Sequence, residues 1–472
     1  MNPSNVVSPE MLCNAIATGV GAELEIEGTN EAVAGQDAEA GAGAVGDAEA
    51  STFVGAPTAA EASFRDAPTL RMQRPGVLAA ASAGEVSSRF ASGASPVGNA
   101  PAGNGTPTHS DVQVIGVPKG ASDAQLDTAI RLAVNASIDL SKVEPGDDVV
   151  IVAALNSDEP YPATAHPQAL KTLAAMLQAK DAHVTVISQA GIEYVVQGPS
   201  GMVRGHSEDC YAKSGMAASG VEFHPLERDG WESGFTHVKP AGADHWPRGF
   251  YIGRRVAEAD HVVVVSRIST HGMGGMTLGL KNLVGIQRLD SRVEFHDAGP
   301  ISWFVDLFAL GSGIKHVHGM NHAFFEMIAE IALAIQHLLR GQLIVGTEQQ
   351  TTMGPNEHLM KIWGRGLWRS YVYEPPTGLV IASSDIVAAD AVAMAALADG
   401  YSHTPMLSRF WQKVLTYIVN RQISEPDRVR IYEERTMRRA LRVGLGKPAN
   451  PIFTGVPAEL EHKLREMLRT PG

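Results

Sequence analysis

The run His261-Val262-Val263-Val264-Val265-Ser266 is short, β-branched and almost uniformly apolar, and it leads directly into a segment with glycine at 272, 274, 275, 279 and 285. Such a run suits a strand covered on both faces, as in a parallel sheet flanked by helices. Ligands of such sheets sit beyond the carboxyl ends of the strands. The four glycines between His271 and Gly285 let backbone amides come close to a phosphate or carboxylate, and Lys281 adds a mobile positive charge. The spacing fits neither a Walker A loop nor the dinucleotide fingerprint, so the motif implies no nucleotide. His271 and Lys281 are the candidate catalytic residues of this segment. Gly272, Gly274, Gly275, Thr277, Gly279, Asn282 and the upstream Arg267 are its candidate ligand contacts.

The pattern around this segment alternates strand and helix. Residues 112–117 and 148–155 read as strands, 123–135 and 167–180 as helices, the second with proline in its first turn, and 184–188 as a further strand. That βαβαβ order predicts parallel strands joined by right-handed crossovers. Downstream, a long helix is expected over 321–339, strands over 343–346 and 378–383, and a helix over about 386–398. The expected fold class is α/β, a parallel-sheet βαβ core over 109–400 with a mainly helical extension over 401–472. Residues 1–108 are rich in Ala, Gly, Ser, Pro and Thr, without sustained periodicity, and read as a disordered low-complexity segment unable to offset its ordering entropy.

The stretch "THGMGGMTLGLKNLVG" from Thr270 resembles the signature of the domain-of-unknown-function 362 family. "ATAHPQALKTLAAMLQAKDAHVTVIS" from Ala163, "GLVIASSDIVAADAVAMAALA" from Gly378 and "RALRVGLGKPANPIFTGVP" from Arg439 agree with that family in order and spacing. Together they span most of the chain from about Asp147 to Pro457. The departures are informative too. Many relatives carry lysine where this chain has Ser269, with Arg267 two positions earlier. Glu348, ahead of Gly354-Pro355, is the candidate for an acid that the family commonly places at a strand end. Many relatives also carry ferredoxin-like cysteine clusters. This chain has only Cys13 and Cys210, so it cannot bind an iron–sulfur cluster by itself. A more distant, fold-level similarity is to the lactate racemase family, which binds a nickel-pincer nucleotide. The ten-residue spacing of His271 and Lys281, with His296 downstream, matches it, but its Thr-His-Arg-Pro motif is absent, and racemisation is not expected.

His316, His318 and His322, with His296 upstream and Glu326 one turn beyond, form a possible divalent-metal site. With seventeen histidines in the chain, chance clustering is the competing reading. Asp385 and Asp390 stand at the start of the helix expected after 378–383. Capping suits Asp385, whereas Asp390 lies among alanines and valines. A buried carboxylate there must be paired or carry a raised pKa, which makes it a third candidate catalytic residue and a possible partner of Lys281.

Two function classes remain open. One is an enzyme acting on a small anionic or carbonyl substrate, with Lys281 and loop amides stabilising developing charge and His271 as general acid or base. The other is a non-catalytic anion, metal or cofactor binding protein, a carrier or assembly factor. Residues 1–109 hold twelve acidic and four basic residues, which accounts for −8 of the net −13, and no nucleic-acid surface is expected of the mildly acidic remainder. No apolar run reaches the ~18 residues of a membrane span, and no signal peptide is evident. With two widely separated cysteines, these features lead to the expectation of a soluble, cytoplasmic protein.

Overall fold

The computed structural model describes residues 109–296, 306–314, 323–357, 361–362, 365–366 and 369–469. The expectation for 1–108 lies outside them. β1 (Ser110–Pro118) is followed by α1 (Asp123–Ser137), where Ser122 and Gln125 cap each other reciprocally: Ser122 Oγ accepts from the Gln125 amide and Gln125 Oε1 from the Ser122 amide. After β2 (Asp148–Ala153) comes α2 (Pro167–Gln178), which opens on proline and is capped by His166 Nδ1, accepting from the Gln168 amide at 3.1 Å. Then follow β3 (His183–Ser188), a short β4 (Phe223–Pro225) and the long β5 (His261–His271). The remaining elements used below are α3 (Gly279–Asn282), α4 (Leu289–His296), α5 (Phe324–Ile331), β6 (Leu339–Gln350), β7 (Thr377–Ser383), α6 (Ile386–Ser402), α7 (Met406–Val419), α8 (Arg435–Arg442), β8 (Ala449–Thr454) and α9 (Ala458–Met467).

Across the sheet the strands stand in the order β8-β1-β7-β6-β5-β2-β3-β4. Neighbours pair in parallel except at β7, which is antiparallel to both β1 and β6. Successive side chains enter two cores. Val112, Val114, Val150, Val152, Val262, Val264 and Ile344 join the core built with α5, α6 and α8, while Ile115, Ile151, Val263, Val265 and Val345 join the one built with α1 and α2. Val262 to Val265 are all fully buried. Each such side chain contributes about 1.5–3 kcal/mol on leaving water, which explains why this valine run occupies the middle of the sheet.

Several elements differ from the sequence expectation. The strand over 378–383, read as parallel, is reversed. The described chain between β6 and β7 contains no helix, and only an antiparallel neighbour can be reached without a crossover. The expected long helix over 321–339 is confined to α5, then tightens into a 3₁₀ turn at Ala332–Ala334 before β6 begins at Leu339. Within the region expected to be mainly helical, β8 joins the sheet beside β1, and Pro451 is accommodated there because the strand lies at the edge. No helix among the described residues is long and apolar enough to cross a membrane.

Strand order also locates a crevice. From β2 the chain steps outward to β3 and β4, then returns to place β5 on the other side of β2. The winding direction reverses between β2 and β5, and parallel sheets open a crevice beyond the carboxyl ends of strands at such a point.

Candidate active site

β5 carries His271 to the carboxyl rim of the sheet. Gly275, with φ of 75°, turns the chain so that Gly275–Thr277 pairs back on Ser269–His271. A side chain would be strained there. The neighbouring loop after β6 is tied to this one: the Gly272 amide donates to Gly354 O at 2.9 Å, and the Gly354 amide donates to Thr270 Oγ1 at 3.1 Å. A Cβ on Gly354 would fall 2.3 Å from Thr270 O, so the close approach requires glycine.

Between the ends of β2, β3, β5 and β6 lies a cavity of about 160 Å³, with His271, Lys281, Arg292, His296, Glu193 and Asn356 among its lining residues. Two of these are imidazoles held in opposite tautomers. His271 Nδ1 accepts from the amides of Met273 and Gly274, both at 3.1 Å, so its neutral ring carries the proton on Nε2. His296 Nδ1 lies 2.6 Å from the Arg292 carbonyl, which can only accept, so its neutral ring leaves Nε2 as the acceptor. Burial first, then Lys281, holds both rings well below the usual histidine range, and they are neutral near physiological pH. Burial, with Arg292 and Arg267 nearby, lowers the Lys281 ammonium to about 7. The Glu193 carboxyl is raised to about 7 by burial and by Glu159. The cavity thus gathers four groups whose protonation is displaced toward neutrality, a pattern associated with functional sites.

Most buried polar atoms have a partner. Among the exceptions, Asn156 Nδ2, Ser188 Oγ, Arg292 Nε and Asn356 Oδ1 belong to residues that line this cavity, while others, including Arg267 Nη1 and Nη2, lie elsewhere in the protein.

The other candidates are placed as follows. Gly272, Thr277 and Asn282 line the cavity, and Asn282 Nδ2 also donates to Val152 O and Val265 O, which pins α3 over the sheet. The amides of Gly272, Met273, Gly274, Gly279 and Leu280 are all directed at acceptors within the protein. The positive charge offered to a ligand therefore comes from side chains. Asp390 is buried in α6 and does not line the cavity. Its oxygens accept from the Gly279 amide (2.8 Å), the Leu280 amide (2.9 Å) and Gln342 Nε2 (2.8 Å), and burial outweighs these bonds to lift its pKa to about 6. Asp385 caps α6, accepting from the Val387 and Ala388 amides.

Glu348 is set away from the cavity by an irregularity in β6 between Val345 and Gln349. Its amide donates to Tyr161 Oη and its carbonyl accepts from the same hydroxyl, both at 3.0 Å. Arg267 is fully buried, donates from Nε to Pro162 O at 3.3 Å and acts on His271 and Lys281 only through its charge. Among the described residues no group of three or more His, Cys, Asp or Glu is arranged to hold a metal ion. His316, His318 and His322 lie outside them.

Sequence reasoning passed over Glu193, Arg292, Ser188, Asn156 and Asn356. Arg292 did carry a signal, since it precedes His296 by four residues and so shares its helix face. The others sit at the ends of different strands, and only the strand order brings them together.

A family description headed "Domain of unknown function (DUF362)" matches residues 149–395, which includes β2 through most of α6 and the whole glycine segment. No curated protein matches the chain. Among solved structures, the lactate racemase apoprotein from Thermoanaerobacterium thermosaccharolyticum is similar at 15% identity and a TM-score of 0.30, over 49% of this chain and 50% of the racemase. The similarity spans half the racemase's length.

Proposed function

The chain belongs to the domain-of-unknown-function 362 family, and we propose that it is an enzyme performing general acid–base chemistry on a small carboxylate or carbonyl compound bound between His271, Lys281, Arg292 and His296. The observation that carries this reading is the pair of neutral imidazoles in one cavity, one fixed as a donor at Nε2 and the other as an acceptor. His296 Nε2 takes a proton from the carbon beside the carboxylate or carbonyl. The charge that then develops on oxygen is met by the Lys281 ammonium, the Arg292 guanidinium and a hydrogen bond from His271 Nε2–H. Burial keeps both rings neutral, which leaves His296 Nε2 able to accept a proton and His271 Nε2–H able to donate a hydrogen bond.

The test is isotope exchange. Incubating the protein in deuterium oxide with pyruvate, lactate or alanine should replace the hydrogen on the carbon next to the carboxyl or carbonyl group, followed by proton NMR. His296→Asn and His271→Asn should each slow exchange by about 10²–10⁴-fold. A small acid that binds without exchanging would instead indicate a carrier.

A further inference from the structure

The cavity has two chemically different ends. Arg292 acts on Lys281 and both act on His296, whereas Glu193 is acted on by Glu159 and Arg204. The unpartnered atoms sort in the same way. Arg292 Nε is a donor, on a side chain whose Nη1 is already committed to Gln189 Oε1 and the Ala190 carbonyl. Asn356, 6% exposed, has the opposite character: its Nδ2 donates to Glu193 Oε2 at 3.1 Å, which leaves its Oδ1 as an acceptor with no partner. One end therefore calls for an anion and the other for a cationic donor.

Size restricts what can supply both. A cavity of about 160 Å³ is on the scale of the ~150 Å³ void that takes a benzene molecule, so the ligand has roughly six heavy atoms. We propose that it is a small zwitterion, an α-amino acid the size of alanine or serine, with its carboxylate at Arg292 and Lys281 and its ammonium at Glu193 and Asn356 Oδ1. A hydroxyl could donate to Asn356 Oδ1 but would bring no positive charge to the Glu193 carboxylate, where Arg204 only partly offsets burial and Glu159. An ammonium serves both. This assignment rests on reading the cavity as the functional site, and it narrows the substrate class within that reading.

Alanine, lactate and propionate share three carbons and a carboxylate and differ only at C2, so calorimetric titration of the full chain with each at neutral pH separates the possibilities. Alanine should bind at least about tenfold more tightly than the other two, the difference expected of one hydrogen bond to a charged group. Glu193→Gln should remove that advantage while propionate binding is retained or somewhat strengthened, because a negative charge is taken away, and retained propionate binding also shows that the variant is folded. Propionate or lactate binding as tightly as alanine overturns the zwitterion but leaves a small-acid site. Failure of all three to bind overturns the site itself. Magnesium binding that disappears in Glu193→Gln would make the acidic end a metal site and likewise overturn the assignment.

Discussion

Asp390 and the cavity meet the same turn of chain in opposite states of completion. Asp390 takes the amides of Gly279 and Leu280 together with Gln342 Nε2, and both of its oxygens are engaged. One residue later, Lys281 faces a cavity whose walls leave donors and an acceptor without partners. Both regions are polar and buried, and both displace the pKa of an ionisable group. Burial and a shifted pKa therefore do not separate scaffold from site. What does is the clustering of unmet polar atoms around one cavity: isolated ones such as Gln342 Oε1 and the Arg267 Nη atoms also occur in the scaffold, each costing about 1–3 kcal/mol.

The largest effect should come from the completed region. Asp390→Ala strands two backbone donors and one side-chain donor, so urea unfolding should show a loss of about 3 kcal/mol or more. A loss below about 1 kcal/mol would mean that the carboxylate is not the anchor its geometry suggests. Lys281→Met should act in the reverse sense. Binding of a small carboxylate should weaken by about 1.5–3 kcal/mol, with little change in the unfolding transition. Unchanged binding would place the lysine with the scaffold.

A smaller effect should appear with pH. Lys281, depressed to about 7, carries its charge below that value and loses it above, while Glu193, raised to about 7, becomes an anion over the same interval. Both changes disfavour a simple carboxylate, so propionate affinity should fall as pH rises through about 7. The decline should be shallower in Lys281→Met, and calorimetry on either side of neutrality checks it. The smallest effect is reserved for Glu348→Gln, which should change ligand affinity by less than about 0.5 kcal/mol because Glu348 lies outside the cavity. A larger change would extend the site toward Tyr161.

What was legible in the sequence follows from how local each cause is. The Val262–Val265 strand, the helix opened by Pro167 and the shared rim position of His271 and Lys281 rest on short-range chemistry: β-branched burial, proline at a first turn, and glycines that fold the chain back. Asp390 stood out as a charged residue on an apolar helix. Its role as an acceptor for the amides of residues 279 and 280 depends on a packing distance of more than a hundred positions in the chain. β7 was misdirected because strand polarity is set by the connection. β8 was hidden because Pro451 argues against a strand unless it is known to be at an edge. Ser188 ends β3 and Glu193 follows it, whereas Asn356 follows β6, and no spacing rule anticipates their meeting.

The contact between α6 and α3 also has a mechanical side. A single carboxylate fastens a helix packed beneath the sheet to the two residues that precede Lys281, so α6 acts as a lever whose short arm ends at the lysine. A small axial slide of that helix would reposition the ammonium while leaving Arg292, His271 and His296 in place. Substitutions on the α6 faces that pack against α9 or the 3₁₀ turn at Ile431–Glu433 are thus a remote means of tuning affinity, acting through the placement of one charge.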